Sequence, residues 1–315
     1  MNMFVKLIPA IIASIALPSF AGERVEQSLP ASGVNSVSIE NLRGEVKVIG
    51  WDQQEVSLSG ELDDKAERLI FEQNGSQIMI KVVIPRHSHH GHNNNRNGSK
   101  LTIKMPKDVR MNFEGVSSDI DLSNLMVGAE VKTVSGDIEA VNLSEHIELG
   151  TVSGNIESKD LDGKIRLSSV SGDIKDRNSN GRVQLKAVSG EIVSNTKARE
   201  VFVNNVSGNI DLSMADIDEL VASTVSGDVD ANLTLKDSGL VKLSSVSGDM
   251  EIDFQSGVEA SFRMNASAGG DLENKLTSDR AKRAKYGPSS KLNFQTGSGS
   301  ASVRASTVSG EILVK

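Results

Sequence analysis

The tripeptide Val-Ser-Gly occurs eight times in the chain, and the step between copies is nearly constant. Its glycines are Gly136, Gly154, Gly172, Gly190, Gly208, Gly227, Gly248 and Gly310. The first four steps are 18 residues each, and the next two are 19 and 21. Val116-Ser117-Ser118-Asp119 and Gly270-Asp271-Leu272 read as degenerate copies. A fixed period of this size means one structural unit stacked on itself.

Apolar residues keep fixed places within the unit. One column is the valine of the tripeptide: Val134, Val152, Val170, Val188, Val206, Val225 and Val246. A second lies two residues after the glycine: Ile138, Ile156, Ile174, Ile192, Ile210, Val229 and Met250. Two more alternate with polar residues upstream, as in Ile147/Leu149, Ile165/Leu167 and Val183/Leu185. Alternation by two with a β-branched bias is strand, and no window carries a helical period. Aromatics are only 3% of the chain, so the core is built from Val, Ile and Leu. Strands this short and this close leave no room for helical crossovers. They fit a coil that returns to register every 18 residues, each strand pairing in parallel with its counterpart about 4.8 Å away. The expected fold is an all-β parallel β-solenoid, with the Val and Ile columns inside and glycine at a corner needing positive φ. The uneven columns, with one Val-Ser-Gly per coil, exclude a hexapeptide helix. Spacing alone leaves the handedness open.

Residues 1–21 read as a cleaved signal peptide, with Lys6, an apolar run from Leu7 to Leu17, and Ser19-Phe20-Ala21 before the cut. That run is too short to span a bilayer, which needs about 18 apolar residues. The expected mature chain starts at Gly22, has no transmembrane segment and is periplasmic or secreted. Residues 22–115 read as an N-terminal β region, with 36–110 covering the end of the solenoid. Within it, 78–84 and 101–106 are expected to pair as a hairpin around a polar loop, 85–100. Residues 116–315 are the repeat solenoid, broken by a basic excursion at 273–290. The absence of cysteine excludes disulfides, thiolate metal sites and a lipoprotein anchor. A net charge of −8 argues against nucleic acid as a partner.

Several residues bear on chemistry. His87, His89, His90 and His92 could hold a divalent metal such as Zn, Cu or Ni, weakly, since no carboxylate or thiol lies among them. The alternative is a solvated low-complexity loop, and no cofactor is otherwise expected. The acidic row after the glycine runs Asp119, Asp137, Asn155, Asp173, Glu191, Asn209, Asp228, Asp249 and Glu311. It reads as turn residues bonded to nearby backbone rather than a calcium ladder. The serine row reads as corner residues, because a nucleophile needs one base and one orienting acid. Arg280, Lys282, Arg283 and Lys285 read as a solvated basic loop, and Trp51 as core.

Three stretches carry a resemblance: SVSIENLRGEVKVIGWDQQEV, LTIKMPKDVRMNFEGVSSDIDL and the serial TVSGDIEA-like units. Together they resemble the bacterial adhesin-type β-strand-repeat family, domain of unknown function 4097, also called toastrack. That resemblance implies a right-handed, single-stranded β-helix-like fold exported to the cell envelope. It also implies surface anchoring, ligand binding or envelope-stress sensing, and it brings no catalytic residues. The expected function is therefore non-enzymatic binding or scaffolding, with an envelope protein or polysaccharide as partner. Two alternatives stand beside it. One is a polysaccharide-active β-helix enzyme with its site in the irregular 257–300 stretch. The other is a metal-responsive module using the histidine loop.

Overall fold

The computed structural model of the chain describes residues 22–85 and 98–315. Its secondary structure there is all β, in 24 strands joined into one continuous sheet. The 18-residue step is the register itself. Ile138, Ile156, Ile174 and Ile192 are paired in parallel, coil on coil. Ile147, Ile165, Val183 and Val201 form the second stack. Each coil therefore has two strands, and both stacks are fully buried. The longer steps are absorbed away from these stacks, by register shifts between Met214 and Glu219.

The valine column lies outside. Val134, Val152, Val170, Val188, Val206, Val225 and Val246 are all half-exposed, and the residue before each is buried in its place. That inner row is Thr133, Thr151, Ser169, Ala187, Asn205, Thr224 and Ser245. The cause is a conflict of phase at the corner. Counting back by twos from Ile156 puts Gly154 and Val152 inside. Counting forward from Ile147 and Leu149 puts Thr151 inside. The chain follows the forward count and breaks phase at the corner, so Val152 and Ser153 both face out. The backbone ladder survives the break, because each serine N–H donates to the valine carbonyl one coil back, as Ser153 does to Val134 at 2.8 Å.

Glycine serves this corner through close approach more than through φ. A Cβ on Gly154 would lie 1.9 Å from the carbonyl oxygen of Gly136. Positive φ appears only further along, as at Gly208 (125°). A second corner sits opposite, where Asn124, Asn142, Asp160 and Asn178 adopt φ of 59°, 57°, 55° and 60°. Asn and Asp tolerate this left-handed conformation best after glycine.

Parallel stacking begins well before the first Val-Ser-Gly. Ser36–Trp51 pairs in parallel with Arg110–Leu125 on one side. On its other side lie Gln77–Val83 and Ser99–Pro106, both parallel to it. These two strands therefore do not form the expected hairpin. They are the two halves of one coil, and each finds an antiparallel partner elsewhere: Arg68–Asn74 for the first and Glu55–Glu61 for the second. Together with Arg24–Pro30 on Glu55–Glu61, these antiparallel strands cover the N-terminal end. Trp51 is half-buried at the rim, not core, and its indole N–H donates to the Glu55 carbonyl at 2.8 Å.

The C-terminal end breaks sequence order. Ala301–Thr307 lies between Val229–Ser244 and Ala260–Ala266, parallel to both. Ile312–Val314 lies likewise between Met250–Phe254 and Leu272–Asn274. The last coil in the sequence is thus the second-to-last in space. The chain passes one layer by, builds the terminal coil at 260–274, and comes back to fill the gap. Ser290–Gln295 runs antiparallel on the terminal coil, with Phe294 stacked on Phe262 at 4.4 Å between ring centroids. Most of the core is aliphatic, and this end is closed with aromatic rings.

Candidate functional site

The corner sets the outer surface as parallel rows, one residue type per row. After the exposed valine comes an exposed serine, then the glycine, buried at Gly136, Gly154 and Gly172 and half-buried from Gly190 on, then the acidic row. The acidic side chains bond backbone, as the residue type suggested, but on the next coil rather than in their own turn. Asp137 Oδ1 accepts from the Asn155 N–H at 2.7 Å, and Asp173 Oδ1 accepts from the Glu191 N–H at 2.8 Å. Asn155, Asn209, Asp228 and Asp249 do the same. Among the described residues, the two breaks in this chain follow Glu191 and Glu311, whose extra methylene misplaces the oxygen. The row is thus a structural ladder, and its carboxylates still face solvent.

Carboxylates crowd toward the C-terminal end of this face. Burial, then Glu251, Asp211 and Asp228, push the Asp230 carboxyl above its ordinary range. Burial, then Glu273, Asp249 and Asp271, do the same to Glu311. Lys315, from the inserted coil, answers part of this charge by bonding Glu251 at 2.6 Å.

One carboxyl is inside the solenoid. Asp176 is buried in the interior column and accepts hydrogen bonds from Ser158 at 2.7 Å, from Ser194 at 3.1 Å, and from Ser179. Burial pushes it up, against the pull of the three hydroxyls. Its carboxyl is enclosed by the three serines of its own and the two neighbouring coils.

His87, His89, His90 and His92 lie outside the described residues, as does the segment read as a signal peptide. Among the described residues no group of three His, Asp or Glu side chains is placed to hold a metal ion. His146, the remaining histidine, is exposed on an outer row beside Glu148 at 4.0 Å, with no serine bonded to it. Arg280, Lys282, Arg283 and Lys285 are exposed on the terminal excursion, where Arg283 pairs with Asp271 at 2.5 Å. An open depression of about 390 Å³ is lined by Glu45, Lys47, Lys100, Thr102, Asp119 and Asp121. Its charges are mixed, and its floor is a flat run of three paired strands. These arrangements suit contact along a surface.

A family model described as Toastrack DUF4097 matches residues 34–315. No curated protein matches the chain significantly. Among solved structures, the chain is similar to a putative adhesin from Parabacteroides merdae, at 8% identity and a TM-score of 0.48, covering 93% of this chain and 97% of that one. It is also similar to a putative adhesin from Bacteroides fragilis, at 12% identity and a TM-score of 0.40, covering 94% and 99%.

Proposed function

The chain belongs to the Toastrack DUF4097 family, and from that premise we propose a non-enzymatic, adhesin-like protein of the cell envelope that binds or scaffolds through the outer rows of its solenoid. The observation that carries this reading is the sameness of those rows. From Asp119 to Asp249 every coil shows solvent the same valine, serine and Asp, Asn or Glu. Catalysis needs a few unlike groups at one point with shifted pKa values. Rows of like groups at a constant step suit extended contact with a polymer or a protein. Export is part of the proposal and rests on residues 1–21; the purified envelope protein should begin at Gly22 by mass spectrometry.

The test is a screen of the mature protein against peptidoglycan, alginate, pectate and glycosaminoglycans. The expected result is binding at most, with no change in polymer length. Turnover of any of them, lost on replacing Glu259, Asp271, Glu273 or Asp279 in the irregular stretch, would make the protein an enzyme.

A further inference from the structure

The tripeptide valines continue at both ends into a longer row. Leu42 sits beside Val116 at the N-terminal end, between the paired positions Asn41–Gly115 and Arg43–Ser117. At the other end Val308, on the inserted coil, follows Val246, whose carbonyl accepts from the Ser309 N–H at 3.0 Å. The complete row is Leu42, Val116, the seven repeat valines and Val308, each 37–47% exposed. Nine steps of about 4.8 Å make an apolar ridge about 43 Å long. The neighbouring inner row varies among Thr, Ser, Ala and Asn, whereas the ridge stays valine from coil to coil. A continuous apolar strip of this kind is the sort of exposed patch that often carries a contact.

We propose that this ridge is the contact surface for a second copy of the same chain, the two solenoids lying side by side with their ridges parallel. Three observations select that occupant. First, the ridge is a lattice with the coil-to-coil step, and another copy carries the same step along its whole length. Second, the flanks differ. One flank is the exposed serine row with the acidic row beyond it; the other is small and neutral or basic, running Lys132, Gly150, Ser168, Lys186, Asn204 and Ser223, with Lys132 already paired with Glu130 at 2.5 Å. A two-fold axis along the ridge sets each acidic row over the other copy's small, lysine-bearing row. A two-fold axis across the ridge would set acid on acid. Third, the area fits a reversible contact. A strip about 43 Å by roughly 10 Å gives roughly 400 Å² per copy, about half of the roughly 800 Å² of a standard stable interface. The dimer is therefore weak and concentration-dependent. It does not rest on the adhesin-like reading, and either can fail alone.

The chain has no cysteine, so a single introduced thiol can pair only with its own counterpart. Val134→Cys, Val170→Cys and Val225→Cys would be oxidised with copper phenanthroline, with Lys159→Cys on another face as the control. Parallel ridges bring each position against itself, within disulfide reach. All three ridge variants should cross-link, and the control should not. Sedimentation of the unmodified full chain should show dimer growing from micromolar to millimolar concentration. Val152→Thr, Val170→Thr, Val188→Thr and Val206→Thr combined keep the β-branch and hence the backbone preference. That variant should melt like the parent and remain monomeric. Three results would each overturn the proposal: a monomer throughout, cross-linking equal at Lys159→Cys, or cross-linking at Val170→Cys without Val134→Cys and Val225→Cys, the pattern of crossed or antiparallel ridges.

Discussion

Val170 and Ile174 are four residues apart in one coil, both β-branched and both repeated every 18 residues, yet they have opposite fates. Ile174 lies in a strand and is fully buried, while Val170 lies at the corner and is 42% exposed. Hydrophobicity does not separate them. What separates them is which strand sets the phase of alternation, and at the corner the upstream strand wins. A repeat therefore fixes which residues stack without fixing which way a stack faces.

Substitution should break this comparison most visibly at the charge level. Ile174→Asp buries a carboxylate in an apolar column and costs several kcal/mol, enough to unfold much of the chain at room temperature. Val170→Asp places the same group in solvent and should cost within about 0.5 kcal/mol. Denaturant melts of the two variants check the pair. Similar midpoints would mean that the corner has been placed on the wrong side.

The interior already contains one carboxyl, which sharpens the point. Asp176 is raised by burial, so the folded state holds a proton at pH values where the unfolded chain has lost it. Stability should then be highest below the ordinary carboxylate range and fall as pH rises through the raised value. Asp176→Asn keeps one oxygen to accept from Ser158 and Ser179, offers an N–H to the Ser194 hydroxyl in place of the second acceptor, and removes the charge. At neutral pH it should be more stable than the parent, and its melting temperature should lose part of its pH dependence. A destabilised variant at neutral pH would show that the three hydroxyls outweigh the burial.

The smallest effect separates early from late corners. Thr151 Oγ1 donates to the Gly136 carbonyl at 3.1 Å and accepts from the Gly154 N–H at 3.1 Å. Ser169 Oγ donates to the Gly154 carbonyl at 3.1 Å. The break comes at Ala187, which has no hydroxyl. Beyond it the corner uses other bonds, such as the Gly208 N–H to the Ser226 carbonyl at 3.2 Å. Thr224, Ser245 and Thr307 then keep buried hydroxyls with no protein partner. Thr151→Val should cost about 1–2 kcal/mol by orphaning a buried carbonyl and an N–H. Thr224→Val removes an unpaired hydroxyl and should be neutral or slightly stabilising. Equal costs would mean that the two corners are alike.

Much of this was legible in the sequence. The period gave the coil, and the Ile and Leu columns gave the interior. The Asp and Asn of the acidic row were readable as backbone acceptors, although the next coil as the donor follows only from stacking. The second corner was legible too, in Asn124, Asn142, Asp160 and Asn178 at steps of 18, but an Asn-Asp row carries no hydrophobic signal and was missed. The place of the last coil could not be read from spacing, because Gly310 fits the same column whether it ends the stack or enters it. Only the pairing shows that 301–315 stacks on the matching corner at Ser247, leaving Ala268-Gly269-Gly270 as the terminal layer. The hairpin expected between 78–84 and 101–106 failed for a related reason. Two adjacent strands of like pattern make either a hairpin or two halves of a coil, and here the long strand 36–51 offers both halves a parallel partner.

The two fates of the repeated apolar columns can be measured directly, again because the chain has no cysteine. Val170→Cys and Ile174→Cys would each carry one thiol, reporting its own exposure to a small disulfide reagent under native conditions. The expected result is reaction of Val170→Cys at the rate of an open thiol. Ile174→Cys should be orders of magnitude slower, limited by opening of the fold. Equal rates, or a protected thiol at 170 with a reactive one at 174, would contradict the outward valine row on which the ridge and its partner depend.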